Sequence, residues 1–225
     1  MKVLAFALAL LCAGMVQAAD AQKILFLGNS ITLHGPNKGI GWDGNWGMAA
    51  SAAEKDYVHL VAQGLQTGGA APQTMVRNIA TFERQYASYN VDELVKETSA
   101  FGADLIVVAI GENVPALTNE TCKIQLAEKT AALLKRIRGE GKPLIVVRSC
   151  FWANAAKDEA LKQACQAVGG VYVDIGRLGQ DEANFARSER DYPHKGVANH
   201  PGDKGMRAIA DAIVNAVRQS QGKAP

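Results

Sequence analysis

The sequence predicts a three-layer α/β/α domain built on a parallel sheet of about five strands. Three observations carry that expectation: short, uniformly apolar runs, amphipathic segments of helical period between them, and no Pro/Ser-rich linker or composition break. The apolar runs span 24–27, 105–110, 144–147 and 171–175. None alternates as a half-solvated strand does, so each is expected in a sheet covered on both faces. A weaker strand is expected over 73–77, after the loop-like Thr67-Gly68-Gly69. Ile124, Ala127, Ala131, Leu134 and Ile137 step by three or four residues, as do Met206, Ile209, Ile213 and Val217, and both sets predict core-facing helices. Pro201, just ahead of the second set, is expected at its first helical position.

The first residues stand apart. Lys2, the apolar stretch 3–16 and the small-residue pattern Val16-Gln17-Ala18 read as a signal peptide over residues 1–18, leaving one domain over 19–225 and an exported protein. Leu10 and Leu11 stand where a lipoprotein reading of Cys12 wants small residues. The apolar stretch is shorter than the roughly 20 residues a spanning helix needs, so no stable membrane insertion is expected.

The chain has 225 residues, 48% hydrophobic and 20% charged, which are globular values and exclude a disordered or collagenous chain. A formal net charge of +2, without a run of like charge, gives no reason to expect a nucleic-acid partner. Oligomeric state is left open. No CxxC or HExxH spacing is present, so neither a metal nor another cofactor is expected, and neither GxxxxGK[ST] nor GxGxxG follows the first strand, which argues against a mononucleotide site. Cys122, Cys150 and Cys165 allow one disulfide, expected as Cys122–Cys150 because one begins a helix and the other ends a strand toward the same sheet edge. Asn119-Glu120-Thr121 is a glycosylation sequon, meaningful in a eukaryotic secretory pathway.

In open parallel sheets ligands bind beyond the carboxyl ends of the strands. There the sequence places Gly28-Asn29-Ser30, Arg77-Asn78, Gly111-Glu112-Asn113 and Cys150-Phe151-Trp152. Ser30 offers a hydroxyl just past a strand, where a nucleophile can be exposed among backbone donors; as a lone feature it is also an ordinary turn or cap residue. Asn113 carries an amide able to donate to an oxyanion, and His200 precedes the last helix in Asn199-His200-Pro201-Gly202.

Taken together, serine after the first strand, Gly-x-Asn after the third and His-Pro before the last helix resemble the SGNH (GDSL-type) hydrolase superfamily. The resemblance runs from about Lys23 to Val217 and implies a flavodoxin-like fold and a serine esterase. It assigns the nucleophile to Ser30, with Asn29 where the family has Asp, and the base to His200. Oxyanion donors would be the Ser30 N–H, the Asn113 side chain and, in a block lacking its usual glycine, the N–H of Asn78 or a neighbour.

Val197 stands where the family's triad Asp belongs. A backbone carbonyl near Val197 is the favoured substitute for orienting His200; Asp191, Glu189 or a dead site are the alternatives. A neutral orienter implies a dyad slower than a full triad and active at mildly alkaline pH.

Trp42, Trp46 and Trp152 fall on the same rim and could stack on a sugar, or could simply pack their loops. A short acyl ester or an acetylated glycan is therefore the expected substrate. A silent glycan-binding module on the same fold and an O-acyltransferase are the competing functions.

Overall fold

The computed structural model describes residues 21–67 and 69–222; the expected signal peptide lies outside the described residues. Five strands form one parallel sheet in the order β2-β1-β3-β4-β5, with β1 at Lys23–Gly28, β2 at Gln73–Asn78, β3 at Leu105–Ala109, β4 at Leu144–Arg148 and β5 at Val171–Val173. The helices are α1 (Tyr57–Gly64), α2 (Ala80–Gln85), α3 (Asp92–Phe101), α4 (Glu120–Arg138), α5 (Ala155–Ala167), α6 (Lys195–Ala198) and α7 (Asp203–Ser220).

Alternate residues of β1 sort the two helical layers, because successive side chains of a strand face opposite ways. Ile24 and Phe26 pack with Tyr57 and Val61 of α1 and with Met206, Ile209 and Ile213 of α7. Leu25 and Leu27 face Phe82, Leu94, Leu134 and Leu161, from α2, α3, α4 and α5. The expected row on α7 is buried throughout. On α4, Ile124 is 46% exposed, and the buried face instead begins at Leu126 and Ala127.

Register brings the carboxyl ends of three strands level: Gly28 lies opposite Asn78 on one side and Ala109 on the other. The chain leaves β1 in a tight turn, with Thr32 and Leu33 N–H both on the Asn29 carbonyl. Gly28 is required there, since a Cβ would come within 1.8 Å of Thr32 Oγ1 and 3.0 Å of the Ala109 carbonyl. β5 stops two residues short of expectation because side chains take over its amides: Ser149 Oγ accepts the Ile175 N–H and Asp174 Oδ1 the Gly176 N–H.

Two expectations are corrected. Cys122, Cys150 and Cys165 are all free thiols. Cys150 turns inward beneath Gly111, whose added Cβ would approach its Sγ within 2.4 Å, while Cys122 sits half-buried in the first turn of α4. The last helix starts at Asp203 rather than Pro201, which instead bridges to Phe185. Its N-cap, Gly202, has no side chain to accept the first amides, and Glu189 supplies the acceptors: its two oxygens take the N–H groups of Asp203 and Lys204, each at 2.8 Å. Among the described residues no helix is long and apolar enough to cross a membrane.

Removing the Glu189 carboxylate strands two helix N-terminal donors, so Glu189→Ala is expected to cost about 1–2 kcal/mol in urea unfolding. Asp191→Ala, which strands no such donor, is expected to change stability by less than about 0.5 kcal/mol. Equal losses in the two variants would show that the capping role is wrong.

Candidate active site

The turn after β1 presents Ser30, partly buried, at the carboxyl edge of the sheet. Its carbonyl takes the Met48 N–H at 2.8 Å, which pins the following loop, and no hydrogen bond to its own N–H is made among the described residues. His200 arrives from the opposite end of the chain. The single turn of α6 and the His200 N–H on the Val197 carbonyl fix its backbone, and Val197 is wholly buried.

Ser30 Oγ lies 2.8 Å from His200 Nε2, and His200 Nδ1 lies 2.7 Å from the Gly196 carbonyl. A carbonyl oxygen only accepts, so Nδ1 must hold the proton of the neutral ring, and the Nε2 lone pair is left facing the serine hydroxyl. Gly196 immediately precedes Val197. Glu189 is committed to α7, and the carbonyl, not Asp191, holds the Nδ1 side of the ring.

Burial lowers the His200 pKa below its ordinary 6.5, outweighing the Gly196 carbonyl and the more distant Glu112 charge, which raise it. These surroundings favour the neutral imidazole.

Beneath this surface lies a polar network that sequence reasoning missed. Arg148, at the end of β4, is fully buried and donates to Glu112 at 2.6 Å; the Glu112 side chain is 3% exposed. Glu112 also accepts from Phe151 N–H at 2.9 Å and from Asn29 Nδ2 at 2.7 Å. Burial alone raises a carboxyl pKa, but the Arg148 guanidinium with these donors holds Glu112 below its usual range. Glu83, on α2 and wholly buried, accepts from Gly111 N–H at 2.6 Å, Asn113 N–H at 3.2 Å, Asn113 Nδ2 at 2.8 Å and Asn29 Nδ2 at 3.2 Å. Burial and the Glu112 charge push its pKa up.

The contacts of Asn29, which stands where the resemblance expects Asp, suit an amide. Its Nδ2 donates to both carboxylates while its Oδ1 takes the Ile31 N–H at 3.1 Å. An aspartate there would set a third carboxylate against two others. The Gly111 backbone, at φ +123°, is in a region that favours glycine, and it aims its N–H at Glu83.

A cavity of about 340 Å³ opens beside Ser30 and His200. Asn113, Asn78 and Arg84 lie on its wall, with Ile40, Met48 and Val197 as its larger apolar lining. This volume sits at the small end of ligand pockets, roughly 300–1,000 Å³.

Asn78 turns its amide onto the Leu33 carbonyl at 2.7 Å and its Oδ1 onto the Ala80 N–H at 3.0 Å, while the Ile79 N–H is taken by the Gly28 carbonyl. The two amides that follow Asn78 are thus committed.

The tryptophans divide. Trp42 and Trp46 meet edge to face at 5.5 Å and donate to the carbonyls of His34 and Ala50, so they pack the long loop instead of lining the cavity. Trp152 is 36% exposed and stands edge to face with the His200 ring at 5.5 Å.

Solved structures share this architecture. A family 2 carbohydrate esterase from Cellvibrio japonicus is 18% identical, with a TM-score of 0.55 over 89% of this chain and 62% of that one. The fold is that of the SGNH hydrolases. A family 3 carbohydrate esterase from Talaromyces cellulolyticus (14% identical, TM-score 0.53) matches over 90% of this chain and 99% of its own. A Bacteroides uniformis protein described as a GDSL-like lipase (12% identical, TM-score 0.54) matches over 88% and 94%. No protein-family model and no curated protein matches the sequence. In this fold Ser30, Asn113 and His200 stand together at the carboxyl edge of the sheet, and the Gly196 carbonyl lies behind the histidine.

Arg148→Met leaves the Glu112 carboxylate buried without its cation and is expected to cost about 3–5 kcal/mol in urea unfolding. Adding Glu112→Gln to it is expected to recover part of that loss; purely additive losses would mean the pair is not energetically coupled. Because burial depresses the His200 pKa, the acid limb of any Ser30-dependent rate is expected below pH 6.5, and a limb above neutrality would contradict that environment.

Proposed function

We propose that this protein is a serine ester hydrolase, exported, acting on short acyl esters carried by a carbohydrate. The observation that carries the reading is the relay Gly196 carbonyl, His200 Nδ1–H, His200 Nε2, Ser30 Oγ, with both links at 2.8 Å or less. Ser30 Oγ attacks the ester carbonyl carbon as its proton passes to His200 Nε2. The alcohol then leaves with that proton, and water repeats the sequence on the acyl-enzyme to release the acid and restore the serine.

Negative charge on the carbonyl oxygen is met by the Ser30 N–H and by the Asn113 amide. Glu83 decides which end of that amide is offered. A carboxylate only accepts, so it draws Asn113 Nδ2 to itself and leaves the second hydrogen on that nitrogen for the oxyanion.

The imidazolium formed during attack faces a neutral oxygen, which supports turnover slower than that of a full triad. The cavity's size favours a short acyl group, exposed Trp152 stands edge to face with His200 outside the cavity lining, and carbohydrate esterases are among the proteins of similar fold. Export rests on the pattern of residues 1–18.

Release of p-nitrophenol from p-nitrophenyl acetate tests the reading: Ser30→Ala and His200→Ala, each shown to be folded, are expected to lose turnover by at least about 1,000-fold. Activity in Ser30→Ala comparable to the parent would end it; a folded parent protein that turns over no ester and binds acetylated glycan would leave a silent binding module in its place. Asn113→Ala is expected to lower kcat about 100-fold with little change in KM. Glu83→Gln is expected to cost about tenfold in kcat, and nothing further in the Asn113→Ala background, since Glu83 acts through that amide. A loss that persists undiminished in the double variant would assign Glu83 to folding alone.

A further inference from the structure

The cavity beside Ser30 is lined by one fixed cation and no anion. Its lining contains a guanidinium, Arg84, and the imidazoles of His34, His194 and His200, and no carboxylate. Glu83, next to Arg84 in sequence, is turned inward and saturated by the amides beneath the site. Arg77, Arg136, Arg148, Arg187 and Arg190 each meet a carboxylate. Exposed Arg84, like Arg138, Arg177 and Arg218, makes no such pair among the described residues, but of these it alone lines the cavity; its hydrogen bond is a 3.5 Å contact to Thr81 Oγ1, at the outer limit of such bonds.

His194 adds a second donor to the same wall. Its Nδ1 accepts the Gly196 N–H at 3.1 Å, which requires the neutral ring to carry its proton on Nε2. A guanidinium, a ring N–H and an apolar patch of Ile40, Met48 and Val197 then surround a space of about 340 Å³. Arginine is charged at every working pH and presents a planar fork that matches a carboxylate. A neutral substrate would leave that fork to water, whereas an anionic one would gain a charge-assisted bond in a partly enclosed site.

We propose that the substrate is an ester of an acidic sugar, whose carboxylate is held by Arg84 while its short acyl group lies against Ile40, Met48 and Val197. This rests on the reading of Ser30 as an acyl-transfer nucleophile.

The test compares kcat/KM for two acetylated methyl glycosides that differ only in bearing a CH2OH or a carboxylate at the sugar's C6. The acidic sugar is expected to be preferred by roughly tenfold, the preference weakening as salt is raised. Arg84→Gln is expected to bring the ratio close to one, and Arg84→Lys to keep part of it. Equal turnover of the pair by the parent protein, or a preference that survives Arg84→Gln, overturns the proposal while leaving the esterase intact.

A second arm pairs p-nitrophenyl hemisuccinate with p-nitrophenyl butyrate. Preference for the hemisuccinate without preference for the acidic sugar would move the anion to the acyl side and refute the acidic-sugar assignment. If no ester is turned over at all, the acyl-transfer reading fails; calorimetric binding of the free sugar acid and of its neutral counterpart to Ser30→Ala then judges the cavity directly. Preferential binding of the acid upholds Arg84 as its anchor, and equal or absent binding rejects it.

Discussion

The ion pair between Arg148 and Glu112 is the contact on which the rest of the site is built. At 2.6 Å, with both groups withdrawn from water, it is the balance that lets a second carboxylate, Glu83, lie close by in the interior. Two buried acids without a nearby cation would share a proton or force the structure open. With Arg148 in place, Glu112 stays ionised, and its acceptors gather the Phe151 amide and the Asn29 side chain. Through Asn29 the network reaches the residue before Ser30, and through Glu83 it reaches the amide at Asn113. The Ser30–His200 surface thus lies on a hydrogen-bonded platform that joins the ends of β1, β3 and β4 to α2.

Above that platform, Ser30 and His200 have further supports of their own. Ser30 is fixed by the strand turn and by the Met48 amide on its carbonyl, whereas His200 hangs from the short turn at Lys195–Ala198 and from buried Val197. Glu189, which could have served the histidine, is occupied in closing the N-terminus of α7. Division of labour of this kind explains how the acid can be absent at residue 197 without leaving the imidazole unoriented.

Most of the fold is legible in the sequence because strands buried on both faces are written as unbroken apolar runs, and those at 105–110 and 144–147 need no context to recognise. Ser30, Asn113 and His200 are legible as a set from their positions after strands and before the last helix. What escapes sequence reading depends on distance in the chain. Glu83 looks like any polar residue of a short helix until it is seen beneath residues 111 and 113, and only the charge that ends the apolar run of β4 hints at Arg148. The tryptophans mislead in the opposite sense, since Trp42 and Trp46 share a loop with the rim but spend their indole N–H groups on that loop's own carbonyls. The disulfide expectation fails for a related reason: sheet-edge placement says nothing about direction, and Cys150 points inward.

The oxygen that holds His200 in place belongs to the main chain, and this has a consequence for how the site can change. No side-chain replacement deletes a peptide carbonyl, so the orienting group is shielded from the substitutions that readily destroy an aspartate. Its weakness is conformational instead of chemical. Gly196 is exposed and lies in a helix of one turn, whose unwinding swings the carbonyl away from Nδ1 while every strand stays paired. The hydrogen-bonded chain from the Gly196 carbonyl through His200 to Ser30 is therefore tied to the conformation of this one turn.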